Sequence, residues 1–240
     1  MKPASLPLFA AFFAAALVRC RSTPEYDHVL TNARVAQFDG DAISFVNLHL
    51  ALRDGRIAEL IPALAQAART VGSPQIRAAG TLGGNLGTCS PAGDSLPVLS
   101  ALNAVIHLIG PQGTRDVPWE EFMLGVKKNA LGSGEFVHSI TVPVIQGWQG
   151  YAKVGTRNAM VISTASACLV RDTEEGLISI ALGSVGPTII RCSQAEKWLR
   201  KNTSLRTGAQ INADLAVEFG RRVSDEATPI DDHRSTAAYR

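Results

Sequence analysis

The sequence predicts an α+β protein, and three observations carry that reading. Two runs of alternating apolar residues near the front are punctuated by Asp-Gly pairs, and apolar residues at helical spacing follow Pro62. The composition, with 21 Gly, 12 Pro and 6% aromatic residues, suits a loop-rich mixed fold better than a helical bundle. At 240 residues the chain makes one large domain or two small ones and can bury a core without disulfides or metal.

Taken in order, the first element is an apolar run, Leu6 to Val18, behind Met1-Lys2. It reads either as the core of an export signal or as a loosely packed leader over 1–26, because Arg19-Cys20-Arg21 is a poor cleavage site. It is too short to span a bilayer, and no other segment is apolar for long enough, so a membrane partner is not expected. Residues 27–61 read as a β-meander. Val29, Thr31, Ala33 and Val35 alternate, as do Phe45, Leu48, Leu50 and Leu52, with hairpin signals at Asp39-Gly40 and Asp54-Gly55 and a third strand over Ile57 to Ile61.

Pro62 opens a helix, Ala63 to Val71, with Leu64, Ala67, Ala68 and Val71 as its buried stripe. A glycine-rich loop follows from Gly80 to Thr88. A second helix then starts near Ser90-Pro91, with Asp94 in its first turn and Leu96, Leu99 and Leu102 on its apolar face. Strands are expected over Ala104 to Ile109, Glu135 to Val142, Gly150 to Val154, Ser163 to Val170 and Leu177 to Leu182, with a turn at Gly110 to Gly113 and a connector at Val117 to Phe122. Helices near Ser193 to Lys201 and Ala209 to Val223 close the chain.

Several function classes fall away. The formal net charge is only +2 and no basic block occurs, which argues against a nucleic-acid partner. Cys20, Cys89, Cys168 and Cys192 lie far apart, so the chain carries no zinc or iron–sulfur ligand set. Scattered thiols suit a reducing compartment, so the cytoplasm is expected, with the periplasm the alternative if the leader is an export signal. The five histidines, His28, His49, His107, His138 and His233, form no His-x-His pair and read as surface or satisfied core residues.

The informative stretch runs from Gln75 through Gly80-Thr81-Leu82-Gly83-Gly84-Asn85-Leu86-Gly87-Thr88 to Ser90-Pro91 and Asp94. Three glycines within five residues let a ligand approach the main chain, and successive N–H groups in such a loop form a nest for phosphate oxygens. Thr81, Asn85 and Thr88 add side-chain donors at the rim, and Asp94 is a short acceptor suited to hydroxyl groups. The alternative is a glycine turn with a purely structural role. The pattern is neither a Walker A loop nor a G-x-G-x-x-G dinucleotide fingerprint.

The whole string resembles the second flavin loop of the FAD-binding medium subunits of molybdenum hydroxylases, the carbon monoxide dehydrogenase and xanthine dehydrogenase family. The resemblance continues through Val117 to Phe122, Lys128 to Leu131 with Gly134-Glu135, Ile140 to Pro143, Tyr151 to Met160, Ala181 to Pro187, and Pro229 to Arg240. It thus covers about residues 62–240. It implies a two-subdomain FAD-binding fold of the vanillyl-alcohol-oxidase-like type, its first subdomain missing or replaced, with FAD-binding residues 62–185 and a small, truncated C-terminal α/β part over 186–240. It also implies an oxidoreductase subunit with FAD as cofactor and no catalytic side chain or metal of its own. Its partners would be a large molybdopterin-binding subunit and a small two-iron, two-sulfur subunit. Electrons would pass from the iron–sulfur clusters through FAD to NAD, a quinone or oxygen.

By the same resemblance Thr81, Gly83, Gly84 and Asn85 contact the pyrophosphate, and Leu82 belongs to the same cofactor-binding segment. Gly87 and Thr88 lie by the flavin, and Ser90 and Asp94 by the hydroxylated linker or ribose. Leu131 packs near adenine or the ring system, or is simply a core residue. Lys153 lies near the isoalloxazine edge, where a cation favours the anionic reduced flavin, or is a surface lysine.

Two departures stand against this. The family's first phosphate loop, of the type Gly-Gly-Thr-Asp, is absent upstream, where His28 to Leu60 instead resembles the opening β-segment of amidohydrolases. Family members also continue past Tyr239-Arg240 with a basic helix. The expectation is therefore a rearranged, fused or truncated product with weakened FAD affinity, since one lost charge-assisted contact is worth about 1.5–3 kcal/mol. The alternative function is a remnant that folds and docks partner subunits but retains no FAD.

Overall fold

The computed structural model describes residues 61–206, 209 and 211–240, together with the backbone of three strands before them. The expected leader over 1–26, the side chains of the meander and its Asp-Gly turns lie outside the described residues. The three strands are β1 (His28–Asp39), β2 (Ala42–Arg53) and β3 (Arg56–Ile57), in an antiparallel sheet of order β1-β2-β3. The pairs Asp39↔Ala42 and Arg53↔Arg56 join them.

Helix α1 (Pro62–Thr70) begins on proline, whose missing N–H costs nothing in a first turn. It buries Ala63 and Ala67, while Ala68, expected in the stripe, is exposed. The face is turned because small side chains let α1 lie close to strand β9 (Gly147–Val154). There Gln66 Oε1 accepts from the Tyr151 N–H at 2.8 Å, and the Ala63 N–H donates to Gln149 Oε1 at 3.4 Å. Two short helices follow, α2 (Pro74–Ala79) and α3 (Leu82–Thr88).

Helix α4 (Leu96–Ala101) is buried on every side. It starts some five residues later than the expected Ser90-Pro91, so Asp94 precedes it instead of occupying its first turn. Pro97 explains the shift. A helix opening at 91 would hold Pro97 in its interior, losing a hydrogen bond and clashing with the preceding turn, whereas at the second position Pro97 is harmless. Residues 90–95 instead form turns, with the Gly93 N–H donating to Ser90 O at 2.8 Å.

A three-stranded antiparallel sheet, order β5-β4-β8, comes next, from β4 (Val105–Gly110), β5 (Gly113–Pro118) and β8 (Phe136–Thr141). The expected connector at Val117 to Phe122 is in fact the end of β5 and a four-residue helix, α5 (Trp119–Phe122). The inner face of the sheet buries Ile106, Leu108 and Val117. On the outer face His107 bridges Asp116 (2.6 Å) and Thr141 (2.7 Å), one cross-strand group that satisfies both ring nitrogens. A small hairpin, β6 (Met123–Gly125) and β7 (Lys128–Asn129), leads into β8.

The second large sheet, order β12-β11-β10-β9, is antiparallel throughout: β9, β10 (Ala165–Asp172), β11 (Leu177–Gly183) and β12 (Ile190–Arg191). Its inner strands are buried on both faces. Cys168, Val170 and Ala181 join the core formed with α1, α4 and the β5-β4-β8 sheet. Leu169, Ile178, Ile180 and Leu182 join a second core under α6 (Ser193–Asn202) and α7 (Ala213–Asp225), which contribute Ala195, Leu199, Ala216, Phe219 and Val223. Arg191 ties the two sides together, pairing with the buried Glu196 and donating to Ser100 O at the end of α4 at 2.9 Å. No helix among the described residues is long and apolar enough to cross a membrane.

Candidate functional site

The glycine-rich stretch is a helix, not the expected loop. Thr81 caps α3: its Oγ1 accepts from the Gly84 N–H at 2.9 Å and its carbonyl accepts from the Asn85 N–H at 3.1 Å. Leu86, fully buried, and Leu82, half-buried against the same core, anchor one side. That pairing at helical spacing, with the cap, outweighs the poor helix propensity of glycine. Cys89 ends the helix in the left-handed region (φ 48°), its thiol buried and pushed up to about 11 by desolvation. The donor nest expected over 80–88 is thereby corrected: amides from Gly84 onward turn along the helix to their own chain. The amides of Thr81, Leu82 and Gly83 precede the hydrogen-bonded ladder.

Two glycines of α3 are nonetheless not required by the fold, and one of them, Gly87, borders open space. A Cβ on Gly83 would find its nearest neighbour, Val137, at 3.7 Å, and one on Gly87 would meet nothing within 4 Å. Neither residue has positive φ. The backbone and the packing would accept alanine at both places, and each glycine costs about 0.5–1 kcal/mol in a helix. At Gly84 a Cβ would come within 3.0 Å of the Thr81 capping hydroxyl.

The expected rim donors are engaged by the chain itself. Asn85 turns inward and accepts a short hydrogen bond from the Ser95 hydroxyl, while Thr88 Oγ1 donates back to Gly84 O at 2.9 Å. Ser90 Oγ accepts from the Ala92 N–H at 3.3 Å. Asp94 and Lys153, expected separately, meet as a buried ion pair: Nζ lies 2.7 Å from Oδ2, with side chains only 8% and 7% exposed for Lys153 and Asp94. Tyr151 Oη donates to Asp94 Oδ1 at 2.8 Å, and Lys153 Nζ also donates to Thr70 O at 3.1 Å. Burial, then the Asp94 charge, pushes the Tyr151 phenol far up, so it remains a donor. The cluster joins the end of α1, the head of α4 and β9.

Leu131 is half-buried against the first core. Its loop is held by residues quoted in the resemblance but given no site role: Asn129, which accepts from the Leu131 N–H at 3.1 Å, and Glu135, paired with Arg115 at 2.7 Å. Arg115, first, and then the Gly132 N–H hold the Glu135 carboxyl down at about 2. Tyr151 and Lys153, two apart in an expected strand, carried a legible signal; Asn129 lies in the Lys128 to Leu131 stretch of the resemblance, but nothing there announced its contacts with α3.

Fold and site together define a mixed helix-and-sheet protein with an open glycine face on one short helix and a buried Asp–Lys–Tyr cluster beside it. Residues 44–145 match the family described as the FAD binding domain in molybdopterin dehydrogenase, and residues 151–240 the CO dehydrogenase flavoprotein C-terminal domain. The first match starts at residue 44, upstream of the resemblance expected from about residue 62.

Among similar proteins is the glyceraldehyde dehydrogenase medium chain of Sulfolobus acidocaldarius, 32% identical over 80% of this chain and 67% of its own length. The caffeine dehydrogenase subunit beta of a Pseudomonas species is 35% identical over 75% of this chain and 60% of its own. The solved carbon monoxide dehydrogenase from Hydrogenophaga pseudoflava superimposes with a TM-score of 0.63 at 31% identity, over 74% of this chain and 61% of that one. This chain therefore spans about 60–67% of the length of these relatives. It belongs to the family of FAD-binding medium subunits of molybdenum hydroxylases.

Proposed function

We propose that the chain binds FAD against the glycine face of α3 and serves as the electron-transferring medium subunit of a molybdenum hydroxylase complex. The observation that carries the reading is glycine at 83, where a Cβ would fit against Val137, and at 87, where it would meet open space: both are kept at a cost to helix stability that the protein's own packing does not explain. A close-approaching ligand explains it. In this reading the N–H groups of Leu82 and Gly83 and the Thr81 hydroxyl meet the pyrophosphate. Gly84 and Gly87 admit it to the main chain, and Asn85 and Thr88 hold the helix in shape. Ser90 and Leu131 border the cofactor, and the Asp94–Lys153 pair presents a fixed dipole in place of a lone cation.

Bound FAD would supply the redox chemistry, taking electrons from iron–sulfur clusters of a small partner reduced by a molybdopterin-bearing large partner, and yielding them to NAD, a quinone or oxygen. This chain's part is to bind, orient and shield.

The test uses the full chain, incubated with FAD and desalted. Retained absorbance at about 450 nm is expected, and its absence overturns the reading in favour of a non-binding remnant. Gly83→Ala and Gly87→Ala sharpen the test. Each should raise thermal stability slightly, by about 0.5–1 kcal/mol, while weakening FAD binding by about tenfold or more. Unchanged FAD affinity in both variants would remove the glycine face from the site.

A further inference from the structure

Three consecutive backbone groups in the turn after β7 are each held by a side chain from a different place. Ala130 O accepts from Arg115 Nη2 at 2.6 Å, the Leu131 N–H donates to Asn129 Oδ1 at 3.1 Å, and the Gly132 N–H donates to Glu135 Oε2 at 2.6 Å. Glu135 is itself gripped at both oxygens by Arg115, Nε to Oε1 at 2.8 Å and Nη2 to Oε2 at 2.7 Å. Arg115 lies on β5 and Glu135 just before β8, so the grip spans the sheet. The other end of the Asn129 amide reaches α3. Its Nδ2 donates to Gly87 O at 2.9 Å and to Leu86 O at 3.4 Å, carbonyls at the end of that short helix.

Asn129 is thus the side-chain link between the Leu131 turn and the end of α3, beside the Lys127 N–H that donates to Cys89 O at 3.1 Å. Ala130 and Leu131 pack half-buried against the first core, but residues 132–134 are exposed, and core packing gains little from the entropy spent on ordering them. Stiffness at such a place is what a preorganised ligand wall requires, because it lowers the ordering cost at the moment of binding.

Resting on the cofactor reading above, we infer that Asn129, backed by the Arg115–Glu135 pair, is a positioning residue for FAD that fixes the Leu131 turn against α3 before the cofactor arrives. Asn129 acts through backbone groups and touches no reacting atom. Its two functions separate chemically. Asn129→Asp keeps the acceptor for the Leu131 N–H but loses the donor to Gly87 O, whereas Asn129→Ala loses both.

The experiment measures FAD affinity of the full chain by flavin fluorescence and amide exchange of the cofactor-free protein by NMR, well below its melting temperature. The unaltered chain should bind FAD with slow exchange at Leu131 and Gly132. Both Asn129 variants should bind about tenfold more weakly or worse, with those two amides exchanging faster and the protection of β10 unchanged. Glu135→Gln, which keeps the shape of the side chain, should give a smaller loss in the same direction. Arg221→Ala, in a surface ion-pair cluster on α7, should leave affinity unchanged. Equal FAD affinity in the unaltered chain and both Asn129 variants overturns the inference alone. So does a loss of affinity accompanied by loss of β10 protection, which marks a purely structural role. Failure of the unaltered chain to bind FAD overturns the cofactor reading and the inference together.

Discussion

Lys153 and Asp94 form an ion pair with almost no access to water, and such a pair is costly to break from one side. Lys153→Met leaves the Asp94 carboxylate buried with Tyr151 as its remaining side-chain donor, an expected loss of about 3–5 kcal/mol in urea unfolding. Replacing both, as Lys153→Met with Asp94→Leu, should cost less than Lys153→Met alone, since two apolar groups can pack where two charges stood. A double variant at least as unstable as the single one would show that the network's other members, Tyr151 and Thr70, depend on the charges. Both residues were legible in the sequence as candidates, yet their pairing was not. They are 59 positions apart, and nothing in a linear pattern announces that β9 crosses the head of α4. The expected strand over Gly150 to Val154 puts Tyr151 and Lys153, two residues apart, on one face, and that much of the cluster is legible in the sequence.

Short elements were where the sequence misled and where the chemistry is concentrated. Glycines at 80–88 read as a loop because their propensity is poor, but the Thr81 cap and the buried Leu86 act through tertiary contact, which propensity does not register. The α4 boundary failed for the opposite reason: Ser90-Pro91 is a good start signal, and Pro97 six residues on vetoes it. Long strands with apolar runs, such as β10 and β11, were found within two residues because two-sided burial leaves a strong pattern. At this scale the turn after β7 makes a prediction about pH. Glu135 titrates at about 2 instead of its ordinary 4.5, the Arg115 hydrogen bond being the largest cause. A carboxyl depressed on folding gives its full contribution above the ordinary value and loses it as the pH falls through the depressed one. The Gly132 amide resonance should therefore stay constant from neutral pH down past 4.5 and move only on approach to 2. In Arg115→Met the same resonance should shift near the ordinary carboxylate range. Identical titration of the two proteins would remove Arg115 from the grip.

The largest structural fact is that one antiparallel sheet serves two cores. Along β10, Cys168 and Val170 point to the side shared with α1 and α4, while Ala167 and Leu169 point to the side under α6 and α7. The family matches divide the chain between residues 145 and 151, so most of this sheet belongs to the C-terminal part yet closes the core of the part bearing α3. Burial on both faces makes β10 a wall that neither core can lose, and the two cores should open as one unit. Leu169→Ala tests this, because Leu169 contributes only to the α6–α7 side. The cavity should cost about 2–5 kcal/mol, for a protein of this size a drop of about 2–4 °C in melting temperature per kcal/mol. Hydrogen exchange followed by mass spectrometry should show protection falling equally in α7, beside the cavity, and in β4, which lies in the other core. If α7 loses protection while β4 keeps it, the sheet is a boundary between independent units. The cofactor face of α3 would then be insulated from the C-terminal half, not braced by it.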